Sequence, residues 1–121
     1  MAHGEFAHME IPADDPAAVI PFYAGVFGWT IAPMEGMGDY HAFMTGPGNS
    51  GGAIGKRGSS VSDRLRVYID VTSIDEALET ATRLGGRVVE PKTSIGGMGW
   101  FAVIADPEGG EMALYQAAPT G

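Results

Sequence analysis

His8 and Glu10 stand two residues apart in a stretch, Phe6 to Pro12, where they alternate with Met9 and Ile11. An extended strand puts the imidazole and the carboxylate on one face and the two apolar side chains on the other. A carboxylate beside an imidazole raises its pKa and orients it, which suits a general base or a pocket hydrogen-bonding group. The same pair serves equally as a structural contact within a sheet. A second set, Arg66, Tyr68 and Asp70, alternates with Val67, Ile69 and Val71. Its guanidinium is either a fork for a ligand carboxylate or phosphate, or half of an ion pair with Glu10 or Asp70. Glu111 and Tyr115 share a face of the last apolar stretch, with Ala113 between them and Met112 and Leu114 opposite. Trp29 and Trp100 offer flat surfaces that stack on a planar ligand or fill a core or subunit interface. His41 alternates with Phe43, and the sequence does not say which face is inner. His3 lies where chain ends fray.

Other chemistries are excluded by what is missing. The chain has no cysteine, hence no disulfide framework, thiolate nucleophile or thiolate metal site. No Ser/His/Asp ordering, phosphate loop or nucleotide fingerprint is present. A net charge of −8 argues against nucleic acid, whose phosphates it would repel. The opening Met-Ala-His-Gly-Glu-Phe lacks a basic segment followed by an apolar run, and no apolar stretch is long enough to span a bilayer. The expectation is a cytoplasmic protein with no membrane partner.

The elements that must position these residues come in two copies. With 121 residues the chain is one domain's worth, and its 19 glycines and 8 prolines imply short elements joined by tight turns. Shifting the sequence by 58 positions aligns Asp15 with Ser73, Gly28 with Gly86, Pro33 with Pro91 and Phe43 with Phe101. The same shift aligns Gly51-Gly52 with Gly109-Gly110, and Met9, Ile11 and Ala13 with Val67, Ile69 and Val71. Matches at punctuation and core positions indicate a duplicated unit.

Each copy reads strand, helix, strand, strand, strand. In the first, Phe6 to Pro12 is followed by a helix capped by Asp15, started by Pro16 and ended by Gly28. Pro21 should bend that helix. Strands at Trp29 to Met34, Asp39 to Thr45 and Gly52 to Gly55 follow. Lys56 to Arg64 is polar and reads as a linker. The second copy runs from Leu65, with a helix opened by Ser73 and stopped by Gly85-Gly86, then strands at Arg87 to Glu90, Gly99 to Ala105 and Glu111 to Gln116. Ser94 to Gly99 is a glycine-rich loop, and Asp106-Pro107-Glu108-Gly109 is a tight turn before the last strand.

Three stretches resemble the vicinal oxygen chelate superfamily, which includes the glyoxalase, bleomycin-resistance and extradiol dioxygenase proteins. They are His8-Met-Glu-Ile-Pro-Ala-Asp-Asp-Pro16, the helix end Phe22-Tyr23 to Phe27-Gly28-Trp29, and Asp106-Pro-Glu-Gly109. The run from Pro91-Lys92 to Gly96-Gly97-Met98-Gly99-Trp100-Phe101 is similar to a glyoxalase-like subgroup. The resemblance implies an α+β fold of two βαβββ modules, about 5–55 and 65–117 with a linker at 56–64, forming an open eight-stranded cup in a single domain. It also implies a homodimer.

In metal-using members the ligands come from the first and fourth strands of each module. Carried onto this chain, those positions are His8, Gly55, Arg66 and Ala113. His8 alone supplies a donor; glycine and alanine have none, and guanidinium is a permanent cation with no acceptor. The expectation is therefore no cofactor, and a small-molecule ligand held in a metal-free cup by His8, Glu10, Arg66, Tyr68, Asp70, Trp100, Glu111 and Tyr115. The alternative is a glyoxalase-like lyase, isomerase or hydroxylase acting on a small oxygenated substrate. It would work through a divalent cation, or else with His8 as general base beside Glu10 and Arg66 stabilising a developing anion.

Overall fold

The computed structural model describes residues 3–46, 51–59 and 61–119. They form two compact units, His8–Arg66 and a second made of Val67 onward together with the segment up to Ala7. The fold class is α+β, and the duplication read from the sequence is present: each copy is strand, helix and three strands.

The first copy comprises β1 (Phe6–Ala13), α1 (Pro16–Phe27), β2 (Ile31–Pro33), β3 (Tyr40–Met44) and β4 (Gly51–Lys56). Its strands lie in the order β2-β3-β4-β1, with β1 parallel to β4 and the other pairs antiparallel. Alternation along β1 sends Ile11 and Ala13 into a core with Phe43 and Ile54, against Val19, Ile20 and Tyr23 of α1. Pro16 at the start of α1 gives up a donor that no helix could satisfy. Gly28 closes the helix in the left-handed region at φ 74°, donating its N–H to the Ala24 carbonyl. Pro21 is accommodated within the helix, which runs unbroken to Phe27.

The second copy comprises β5 (Arg66–Asp70), α2 (Ile74–Arg83), β6 (Arg87–Ser94), β7 (Trp100–Ala105) and β8 (Glu111–Gln116), with strand order β5-β8-β7-β6. Val71, Ile74, Ala102 and Leu114 form the core under α2, joined by Ala77, Leu78, Trp100 and Ile104. The segment leading into β1 is tied to β5: Gly4 N–H donates to the Asp70 carbonyl at 2.7 Å, and Asp70 N–H to the Glu5 carbonyl at 2.8 Å.

Strand pairing corrects the ungapped repeat. Glu10 faces Ala53 in the first copy and Tyr68 faces Ala113 in the second. Glu10 and Tyr68 keep the 58-residue spacing, but Ala53 and Ala113 are 60 apart (113 − 53). Ala42 faces Ala53 and Val103 faces Ala113, a spacing of 61 (103 − 42). The connections of the second copy are longer by two to three residues. A shift of two preserves a side chain's face, whereas a shift of three reverses it. Phe43 therefore packs under α1 while its apparent counterpart Phe101 lies on the opposite face of its sheet. The expected linker also begins within structure, since Lys56 is the last residue of β4 and Arg57 bridges to Val61.

Candidate functional site

On the face of the first sheet away from α1, alternation along β1 presents His8, Glu10 and Pro12. Register adds Ala53 beside Glu10 and Gly55 beside Pro12, and β3 contributes Tyr40 opposite Gly55. Gly55 carries no side chain, so the Tyr40 ring has room to cross β4 toward β1. Tyr40 is only 5% exposed, packed with Ala53, Val61, Met34 and Met37. Its hydroxyl donates to Glu10 Oε2 at 2.9 Å and lies 2.7 Å from His8 Nε2.

A phenol has one proton. With that proton directed at Glu10, the Tyr40 oxygen accepts from His8 Nε2–H, which fixes the neutral ring as the tautomer whose Nδ1 holds the lone pair. Burial lowers the His8 pKa from its ordinary 6.5, and the nearby Glu10 charge opposes that shift less strongly. His8 is thus held neutral near pH 7. The 4.0 Å approach of His8 Nε2 to Glu10 Oε2 is accordingly a contact bridged by a hydroxyl, not an ion pair. The result is a polar chain, imidazole to phenol to carboxylate, set against methionine and small apolar side chains.

His8 and Glu10 come together as their spacing predicts. Tyr40 escaped the sequence reading, although its phase against Phe43 carried the signal: once Phe43 faces the helix, Tyr40 must face away. His41 is on the α1 side of β3 and pairs with Asp39 at 2.6 Å.

In the second copy, Tyr68, Val103 and Ala113 are buried together, with Phe101 and Tyr115 packed around them. Register sets Asp70 beside Tyr115, and alternation puts Glu111 on the same face. Asp70 is buried at 7% exposure, whereas Glu111 is exposed. Arg66 is half-buried at the start of β5. The Tyr115 hydroxyl donates to the Met98 carbonyl at 2.6 Å and so tethers the Ser94–Gly99 loop.

Trp100 does not belong with these residues. It pairs with Gln116, one step out of phase with Tyr115, and packs into the core beneath α2 with the Lys92 ammonium 5.0 Å from its ring centre. Its neighbour Phe101 takes the face assigned to it. Trp29 likewise stacks on Phe43 at 4.2 Å in the core of the first copy.

The superfamily's metal positions do not fit a cation. Gly55 and Ala113 provide no donor atom, Arg66 is itself a cation, and His8 Nε2 already serves the Tyr40 hydroxyl. The corrected register replaces the symmetry behind that set, because Ala113 corresponds to Ala53 and Gly55 to Tyr115. Alanine adds no donor, and the Tyr115 hydroxyl is spent on the loop.

The sequence profile of the Glyoxalase-like domain family matches residues 8–115. The chain belongs to that family. A Mycobacterium bovis protein named "Putative glyoxylase CFP32" is 30% identical over 112 residues, covering 91% of this chain and 43% of that protein. The anthracycline biosynthesis protein DnrV of Streptomyces peucetius is 27% identical over 138 residues, covering 95% of this chain and 48% of its own. This glyoxalase-like chain therefore spans less than half the length of those relatives. Among solved structures, methylmalonyl-CoA epimerase from Mycobacterium tuberculosis superposes with a TM-score of 0.69 at 15% identity, covering 95% of this chain and 89% of its own. That likeness is one of fold. With the family match, it bears out the resemblance to the vicinal oxygen chelate superfamily.

Proposed function

We propose that this glyoxalase-like protein binds a small organic molecule without the help of a coordinated metal, using His8, Tyr40 and Glu10 as its polar contacts. The observation carrying this reading is the chain of hydrogen bonds through Tyr40 on a floor of Ala53, Met34, Met37 and Val61. Apolar lining with a few oriented polar groups is what a ligand site requires. Arg66 is a candidate for a further contact to that ligand, and Tyr68, Asp70, Glu111 and Tyr115 are candidates for ligand contacts on the second copy's own sheet. The kinship with a protein named for anthracycline biosynthesis supports a small organic molecule as the ligand.

A second reading, a lyase, isomerase or hydroxylase of the glyoxalase-like type, draws on one specific observation. Burial keeps His8 neutral and Tyr40 fixes its tautomer, so Nδ1 carries the lone pair that a proton acceptor needs. Arg66 would then stabilise the developing anion.

Metal analysis of protein purified without a histidine tag, followed by a thermal-shift screen of small oxygenated and aromatic acids, tests the binding reading. A ligand present at a hundred times its dissociation constant stabilises by about 2.7 kcal/mol. Stoichiometric metal lost on His8→Gln overturns the metal-free site. Ligand stabilisation that survives both His8→Gln and Tyr40→Phe overturns the assignment of these residues. Turnover of a bound compound, abolished by His8→Gln with binding retained, selects the enzyme.

A further inference from the structure

Asp70 ends β5 and is buried at 7% exposure, an acid at a position where the fold does not require one. Its counterpart 58 positions earlier, on β1, is Pro12. Alternation puts Asp70 on the face that carries Tyr68. Pairing sets it beside Tyr115 of β8, which in turn pairs with Phe101 of β7. Val103 and Ala113, both fully buried, form the floor of the same face.

The donors nearest to this carboxylate in sequence and register are already engaged. The Asp70 N–H donates to the Glu5 carbonyl at 2.8 Å, the Val71 N–H to the Tyr115 carbonyl at 2.9 Å, and the Gly4 N–H to the Asp70 carbonyl at 2.7 Å. The Thr72 N–H donates to His3 Nδ1 at 3.0 Å. Tyr115 spends its one hydroxyl proton on the Met98 carbonyl. Lys92 lies on the α2 side, over Trp100 and 3.2 Å from Asp75. Arg66 begins the same strand as Asp70, about 13 Å away along it. Among the described residues, no side chain bonds the Asp70 carboxylate. A charge buried without a partner costs stability. The Asp70 oxygens are not sealed from solvent, so a donor from outside can reach them.

The chemistry of the face selects the donor. A metal ion needs several ligands, and among the described residues no group of three or more His, Cys, Asp or Glu could hold one. An organic ammonium needs only one carboxylate for its N–H groups, and its carbon skeleton rests well on aromatic rings. Tyr68 and Phe101 meet edge to face at 6.4 Å, and half-buried Tyr115 packs with them. The net charge of −8 draws cations toward the protein. We infer that this face of the second copy binds a small organic amine, with Asp70 as counter-ion to its ammonium and Tyr68, Phe101 and Tyr115 against its skeleton. The inference deepens the reading of Asp70 and Tyr115 as ligand contacts, and it needs none of His8, Tyr40 or Glu10.

Calorimetric titration of the untagged protein with 2-phenylethylamine tests this, with 2-phenylethanol and phenylacetate as the neutral and anionic molecules of similar shape. The amine should bind about tenfold or more tightly than the alcohol, and the acid more weakly than either. Asp70→Asn should remove that preference and raise the melting temperature of the free protein, because an uncompensated charge leaves a buried place. A purely structural aspartate predicts the opposite, a lower melting temperature. Amide chemical shifts of the wild type locate the amine: movement at Asp70 and Tyr115 reports this site, and movement at His8 and Tyr40 the first copy's, so failure of one reading is told from failure of the other. The amine–alcohol comparison and these shifts decide the matter should Asp70→Asn not fold. No amine binding up to about 10 mM, equal affinity for amine and alcohol, or shifts confined to the first copy overturns the inference. So does an Asp70→Asn protein that keeps the preference or melts lower.

Discussion

The Tyr40 hydroxyl bridges two side chains of β1, donating to Glu10 Oε2 at 2.9 Å while lying 2.7 Å from His8 Nε2. Tyr40 reaches them from β3, paired across from Gly55 of β4, which carries no side chain. Tyr40→Phe keeps the ring packed among Met34, Met37 and Val61 but removes the bridge. The carboxylate then loses a donor and the imidazole an acceptor in a half-buried setting, a loss of about 1–3 kcal/mol. Urea denaturation of the two proteins checks it: the midpoint should fall with the slope unchanged. An unaltered midpoint would mean that water replaces the hydroxyl without penalty.

Stability should also depend on pH through His8. Burial lowers its folded-state pKa below the ordinary 6.5 of the unfolded chain. Above 6.5 both states are neutral and the group contributes no slope. As pH falls below 6.5 the unfolded chain takes up a proton that the folded one resists, so stability declines down to the folded pKa and levels off beneath it. Thermal denaturation between pH 7.5 and pH 5, on the order of that titration range, should show this decline, with a shallower slope in His8→Gln. Equal slopes would remove His8 from the account.

How much of this was legible in the residues follows from periodicity. Alternation along β1 was enough to unite His8 with Glu10, and the glycine and proline punctuation located both helices. The duplication was visible because β1 with α1, and β5 with α2, keep one spacing. It failed beyond the helices, where the second copy's connections are longer. A three-residue slip reverses a strand's faces, and no local signal announces it. Trp100 was lost to this ambiguity: a large aromatic fits either face of β7, and only pairing with Gln116 decides. Tyr40 was missed for a related reason. The bridge it makes spans 30 residues to Glu10, and the vacancy that admits it is a glycine on a third strand.

The two helix starts should respond unequally to loss of their caps. Ser73 Oγ accepts from Glu76 N–H at 3.2 Å at the head of α2, whereas Asp15, its counterpart before α1, makes no side-chain capping bond. Ser73→Ala should cost about 1 kcal/mol. Asp15→Ala should cost less, keeping only whatever its charge gains from the helix dipole, about 0.3–1 kcal/mol and screened by salt. Chemical denaturation at low and high ionic strength separates them. The Ser73 effect should persist in salt and the Asp15 effect should fade.

The turn before β8 offers the sharpest test of what holds the last strand in register. Asp106 Oδ1 accepts from Glu108 N–H at 2.8 Å and from Gly110 N–H at 3.0 Å, while the Asp106 carbonyl accepts from Gly109 N–H at 2.9 Å. Gly109 sits at φ 89°, a conformation that residues with a side chain rarely adopt. Asp106→Ala strips two backbone donors of a charged acceptor at an exposed turn that water can partly satisfy, costing about 1–2 kcal/mol. Asp106→Asn retains an acceptor oxygen and should recover about half of that loss. Gly109→Ala should cost about 1 kcal/mol through strain, leaving the aspartate bonds intact. Amide hydrogen exchange distinguishes local from global effects. Asp106→Ala should speed exchange first at Glu108 and Gly110, then along β8 toward Tyr115, whose hydroxyl holds the Met98 loop. Uniform acceleration across both copies would instead mean that the turn contributes only to overall stability and does not itself fix the strand.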